Sequence, residues 1–270
     1  MAFLEISASK SYTTAKGRKH VLDHVDLSVE EGEFVSVVGY SGSGKTTLIN
    51  LAAGLIAPTA GRVTVDGAPV QGFVKGASIV FQNYSLLPWF SAIENVRLGV
   101  EAAFPAWSVA KQRAQAERYL EMVGLKAAFE KRPGQLSGGM RQRVSIARAF
   151  ATEPRILFLD EPFGALDALT RANLQQELLR MCSEAGRPVT TLMITNNVEE
   201  AILLSSRIVP LSRGPRAVLG PAIEVSHEDD PIHVQARIVE FLTGFTHSTG
   251  ERAPRHSAPP PMKMMQEVEL

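Results

Sequence analysis

The stretch "EFVSVVGYSGSGKTT", residues 33–47, constrains the fold more than any other in the chain. It opens with a compact, β-rich apolar run that suits a strand buried on both faces, as inner strands of parallel sheets are. The run ends in glycines, and a helix follows from about Lys45 to Gly54. Between them lies the pattern G-x-x-x-x-G-K-[ST], in the strand–loop–helix context that gives it meaning. Gly42 and Gly44 let the backbone wrap so that several N–H groups converge on phosphate oxygens. The helix N-terminus adds its partial positive charge. Lys45 supplies a mobile cation for β- and γ-phosphates, and the Thr46 hydroxyl is a candidate Mg²⁺ ligand. With Gly39, Tyr40, Ser41, Ser43 and Thr47 these residues form a candidate nucleotide-binding loop.

A second run, "ILFLDEP" (residues 156–162), supplies the other half of such a site. Its apolar residues bury a strand and deliver Asp160 and Glu161 at the carboxyl end, the ligand edge of an open parallel sheet. Asp160 suits Mg²⁺, held through water. Glu161 is placed to polarise an attacking water as general base. Elsewhere strand-like runs ("RVTVDG", "SIVFQ", "TTLMIT") alternate with helical ones, including about 168–184 and a segment ending at Leu204. Such alternation predicts an α/β fold with a parallel sheet. Residues 3–35 read as short strands joined by a polar, basic loop, "KGRKH". Between Gln82 and Arg155 the pattern is mainly helical, which predicts an inserted lobe over about 85–153. "SRIVPLSRGPRAVLG" reads as a closing hairpin, and a last helix is expected from Ile232 to Leu242.

The 270 residues suit one large domain, here 1–245, followed by a Pro/Ser-rich segment, 246–270, with the composition of a disordered tail. The formal net charge of +0 argues against a broad nucleic-acid face and predicts no nucleic-acid partner. The single cysteine, Cys182, has no internal disulfide partner and lies in a helix-like run, as a partly buried structural thiol of a cytosolic protein would. The N-terminus is too short and polar for a signal peptide. No apolar run reaches the ~18 residues of a membrane span, so any membrane role must come through a partner.

"LSGGMRQRVSIARA", residues 136–149, is far more specific than a phosphate loop. Ser137 would cap a helix whose start, Gly138 and Gly139, exposes backbone N–H groups to an anion. With the two motifs flanking it, this run resembles the signature of ATP-binding cassette (ABC) ATPases. The resemblance covers roughly residues 3–245. It implies a P-loop NTPase (RecA-like) parallel sheet core with an N-terminal antiparallel β subdomain and an inserted helical lobe. It implies ATP and Mg²⁺ as ligands, and two subunits, identical or different, that sandwich two ATP molecules so that Ser137, Gly138 and Gly139 face the nucleotide of the other subunit. Gln82 matches the glutamine that contacts Mg²⁺ and the attacking water, and "ALD" at residues 165–167 matches the loop coupling the two sites. Tyr12 resembles the aromatic that stacks on adenine, a position that strand packing would also explain.

Directly after Gln82, Leu86, Leu87, Pro88, Trp89 and Phe90 form an apolar cluster in an expected loop. Such a patch marks an interface when exposed, or the lobe's own core when not. In ABC importers this region, here residues 82–101, receives a short helix of the membrane permease, which a solute-binding protein supplies from the other side. The subunit would sit peripherally on the cytoplasmic face of the cell membrane. "YSLLPW", "ENVRLGVE" and "DEPFGALDALTR" are most similar to the nitrate, sulfonate and taurine importer group, and within it to the nitrate/nitrite/cyanate type. Where the family's next strand ends in Thr-His-Asp, with a histidine that bonds the γ-phosphate, this chain has Thr195-Asn196-Asn197. Asn197 is the natural cap for "VEEA". That leaves Asn196 either to cap as well or to face the nucleotide, and in the second case it joins Glu161 and Gln82 as a candidate catalytic residue.

Overall fold

The computed structural model describes residues 2–244, apart from positions 16, 165, 185–187 and 227–228. The expected tail and the alanine of "ALD" lie outside the described residues.

Two sheets carry the fold. The first is antiparallel, ordered β2-β1-β4-β5, from β1 (Leu4–Thr14), β2 (Gly17–Val29), β4 (Ala60–Val65) and β5 (Ala68–Pro69). The second has six strands in the order β10-β9-β3-β8-β7-β6. They are β3 (Phe34–Gly39), β6 (Ala77–Val80), β7 (Ile156–Asp160), β8 (Thr190–Thr195), β9 (Arg207–Leu211) and β10 (Ile223–Glu224). All pair in parallel except β10, which runs against β9. The helices are α1 (Lys45–Ala52), α2 (Ala92–Ala103), α3 (Val109–Met122), α4 (Gly138–Phe150), α5 (Ala168–Glu184), α6 (Val198–Leu204) and α7 (Pro231–Gly244).

The inner strands are apolar throughout because both faces are covered. On β7, Ile156 and Phe158 point into the core shared with α1 and the antiparallel sheet, whereas Leu157 and Leu159 point into the core beneath α2, α3 and α4. β8 divides likewise, with Leu192 and Ile194 on one side and Met193 on the other. Each such side chain, fully removed from water, contributes about 1.5–3 kcal/mol. Cys182 is buried on α5, with Sγ 3.8 Å from Thr191 Oγ1, and burial pushes its thiol up to about 11, which keeps it protonated and inert.

Three local expectations change. The GRKH of "KGRKH" is not a loop, since Gly17–His20 begin β2 and extend one long hairpin with β1. "SIVFQ" ends as a strand at Val80, so Gln82 stands two residues past it. The first limb of the expected closing hairpin is β9, a parallel neighbour of β3, and its return limb pairs back through the Leu211–Leu219 bridge and the hydrogen bonds of Ser212 N–H to Val218 O and Gly220 N–H to Pro210 O before β10. In each case a neighbouring element, not local sequence, sets the pairing.

The loop after Gln82 is anchored from two helices. Arg148 of α4 donates to the carbonyls of Ser85 (2.7 Å) and Tyr84 (2.9 Å). Asn95 of α2, fully buried, accepts from Leu87 N–H (2.8 Å) and donates to the carbonyls of Leu87, Phe90 and Ser91. The apolar cluster is therefore split. Leu86 packs on the lobe core, while Trp89 is 62% exposed. Asn95→Leu strands the Leu87 N–H and loses three donated bonds, so it should lower unfolding stability by about 3 kcal/mol in urea titration.

Candidate nucleotide site

The carboxyl ends of β3, β7 and β8 meet at one edge of the parallel sheet, with β8 between the other two. From β3 the chain enters the glycine loop. Gly44 caps α1 with φ +110°, and a Cβ there would lie 2.9 Å from Val21 Cγ1, so glycine is required on both counts. Gly42 is left-handed too (φ +79°), but a Cβ there meets nothing within 4 Å, leaving open space over the loop.

Lys45 is buried, at 4% exposure. Its ammonium donates to Gly39 O at 2.9 Å and Tyr40 O at 3.0 Å, and lies 3.0 Å from Glu161 Oε1. An ammonium has three protons, and all three are engaged. The other Glu161 oxygen, Oε2, accepts from Gln82 Nε2 at 3.1 Å. Glu161 has φ +45°, a left-handed conformation rare outside glycine that costs on the order of 1–3 kcal/mol. Its N–H is tied to Ile194 O at 2.9 Å, which continues the β7–β8 ladder and fixes the strained residue where its carboxylate reaches Lys45.

Beside this pair, Thr46 Oγ1 donates to Asp160 Oδ1 at 3.3 Å. A hydroxyl and a carboxylate oxygen side by side are the hard donors that Mg²⁺ takes, one or two protein ligands with phosphates supplying the rest. Among the described residues no group of three or more His, Cys, Asp or Glu suits a metal of its own. Burial raises the Asp160 carboxyl above its ordinary range and Glu161 adds to this, against the opposing Thr46 hydrogen bond and the Lys45 charge.

A cleft of about 590 Å³ opens over these groups, between Tyr12 and Lys19 of the β1–β2 hairpin and Ser41, Gly42 and Thr47 of the loop. Gln82 and Glu161 line it as well. Ser137, Gly138 and Gly139 do not line it. Ser137 Oγ accepts from Met140 N–H (3.2 Å) as the cap of α4, and a Cβ on Gly139 would sit 2.6 Å from Thr170 Cγ2 of α5. Asn197 caps α6, its Oδ1 accepting from Glu200 N–H at 3.2 Å. Thr195 Oγ1 donates to the buried Glu200 carboxylate at 2.8 Å and accepts from Asn197 N–H, which pins the turn. Asn196, exposed, makes no hydrogen bond among the described residues and does not line the cleft. Sequence reasoning missed Lys19. Alternation of Lys19 and Val21 across "KGRKHV" was the available signal, masked by the loop reading of that stretch.

The raised Asp160 carboxyl has a consequence for stability. A carboxyl whose folded pKa lies above its unfolded one opposes folding when ionised, and that penalty is present above the folded pKa and gone below the unfolded one. Asp160→Asn should therefore raise the Tm of the nucleotide-free protein at pH 7.5. The gain should shrink as the pH falls through the carboxylate range, as read by calorimetry.

A family model for the ABC transporter matches residues 22–164. The chain is 48% identical over 244 residues to the nitrate import ATP-binding protein NrtD of Synechococcus elongatus, covering 86% of this chain and 88% of that protein. It is 46% identical over 253 residues to the bicarbonate transport ATP-binding protein CmpD of a Synechocystis species, covering 89% of each. The ATP-binding cassette MJ0796, solved as a dimer in a post-hydrolysis state bound to ADP and Pi, superposes with a TM-score of 0.74 at 31% identity, over 83% of this chain and 99% of that one. With a phosphate loop, an acidic strand end and the LSGG run in one chain, and relatives of this closeness along most of its length, the chain belongs to the ABC transporter family as one of its ATP-hydrolysing cassettes.

Proposed function

We propose that this ATPase subunit energises import of a small planar oxyanion, nitrate or bicarbonate, through a membrane permease. The observation that carries the ATPase part is the Lys45–Glu161–Gln82 cluster beside Thr46–Asp160, at the ends of two parallel strands. The loop amides and Lys45 hold the phosphates. Thr46, Asp160 and Gln82 suit Mg²⁺, which when bound neutralises phosphate charge. Glu161 orients and deprotonates the attacking water, once its Oε1 is released from Lys45 and its Oε2 from Gln82. Tyr12, 37% exposed in the cleft, offers its ring to the base. Ser137, Gly138 and Gly139 serve the nucleotide of a second ATP-binding subunit. Their place outside the chain's own cleft supports that reading.

The permease contact fits the region of residues 82–101. An apolar groove of about 850 Å³ runs beside it, between the lobe and the sheet, with Phe73, Ile79, Phe81 and Phe104 in its walls. Phe81 precedes Gln82, so an occupant of the groove bears on the Gln82–Glu161 hydrogen bond. No helix among the described residues is long and apolar enough to cross a membrane, which supports peripheral attachment through the permease. The transported ion is read by permease and solute-binding protein, and nitrate and bicarbonate share a trigonal, singly charged oxygen frame. Cells lacking the subunit should lose uptake of ¹⁵N-nitrate or ¹⁴C-bicarbonate, and recover it with the native chain but not with Lys45→Ala. Unchanged uptake of both ions would end the oxyanion reading.

Asn196 stands two residues beyond Ile194, the ladder partner of Asp160. We read its side-chain amide as a donor to the γ-phosphate, direct or through a water. Unlike an imidazole it takes up no proton near neutral pH. Steady-state hydrolysis by the assembled transporter should hold or rise in Asn196→His. In Asn196→Ala it should fall, by less than the ~10²-fold that loss of a well-placed donor costs. An Asn196→Ala enzyme with unchanged rate and ATP affinity would make Asn196 a structural residue. The substitution also favours a second reading, a weakly active cassette paired with a different, more active one.

A further inference from the structure

The hairpin that borders the cleft carries a cation that no motif accounts for. Tyr12 and Lys19 are direct partners in the β1–β2 ladder, so their side chains stand on the same face. Thr14, two residues on from Tyr12, shares that face, Val21 sits at the bulge that follows His20, and all four line the cleft. Arg18 and His20 alternate to the other face, where His20 Nδ1 meets Ser11 Oγ at 3.0 Å.

Among the described residues, two that line the cleft are cations, Lys45 and Lys19. Lys45 is saturated by two carbonyls and Glu161. Lys19 has no carboxylate and no hydrogen-bond acceptor among the described residues, and it is exposed. An unpaired ammonium on a cleft wall is an attractive site for a polyanion. Its position also orders it along a nucleotide. It stands beside Tyr12, where the base would stack, as its direct partner in the hairpin ladder.

We infer that Lys19 binds the nucleoside end of the polyphosphate, the α-phosphate, while Lys45 serves the terminal phosphates. This rests on the nucleotide reading above and adds to it a binding residue with a separable role. Lys19 should contribute equally to ATP and ADP, because both carry the α-phosphate, and should leave the hydrolytic step alone.

The test is calorimetric binding of ATP and of ADP to the full chain, with steady-state hydrolysis alongside. Lys19→Ala should weaken both nucleotides by the same factor, about five-fold, the upper end for an exposed charge pair. KM should rise with kcat unchanged, Lys19→Arg should restore affinity, and the loss should shrink at high ionic strength. The unfolding midpoint should not move, which separates binding from hairpin stability. If the native chain bound neither nucleotide, this inference and the nucleotide reading would fall together. If it bound both and Lys19→Ala matched it, or lost kcat instead, only the assignment of Lys19 would fall.

Discussion

A buried ammonium in three donor contacts governs this molecule. Lys45 cannot leave water without acceptors, and two carbonyls of its own loop do not cancel its charge. Glu161 does, at 3.0 Å. The cost of desolvating such a pair is repaid only with good geometry and further hydrogen bonds, and here Gln82 supplies one to the second carboxylate oxygen. Glu161 holds a left-handed backbone to make the contact. Nucleotide-free, the Lys45–Glu161 pair is thus internally neutral, the candidate base bound to the candidate phosphate cation. On the proposed reading, phosphate oxygens replace Glu161 on Lys45, and that exchange frees the carboxylate for water.

The same cluster links the sheet to the lobe. Gln82 begins the loop that Arg148 of α4 and Asn95 of α2 hold. α4 also begins with Ser137 and is closely packed at Gly139 against α5. A movement of the lobe, whether from an occupant of the apolar groove or from a second subunit at α4, therefore reaches Gln82 through hydrogen-bonded, packed elements. The Arg143–Glu177 ion pair ties α4 to α5, the helix that follows Asp167.

Much of this was legible in the sequence because several signals were local. The glycine loop, the strand ending at Asp160 and the cap at Asn197 each depend on a few adjacent residues, and their elements stand within a residue or two of expectation. What was not legible depended on distant partners. "KGRKH" has loop composition, but its residues 17–20 lie opposite β1, whose register draws them into a strand. Gln82 stands two residues past its strand, where its side chain bonds Glu161, 79 positions away. Trp89 and Leu86 belong to one apolar run in the sequence, yet one is exposed and the other packs on the lobe core. The groove beside them is assembled from four separated segments and has no single sequence signature.

The central claim is that Glu161 occupies Lys45 until phosphate displaces it. Its most direct test is the thermal shift that ATP or ADP produces without Mg²⁺, in the native protein and in Glu161→Gln. Glutamine leaves the buried ammonium without its counter-charge, so the free variant should melt lower, and nucleotide, which restores the charge balance, should bind more tightly and raise its Tm more than in the native protein. A variant that melts like the native protein and gains the same shift, or a smaller one, would contradict the account.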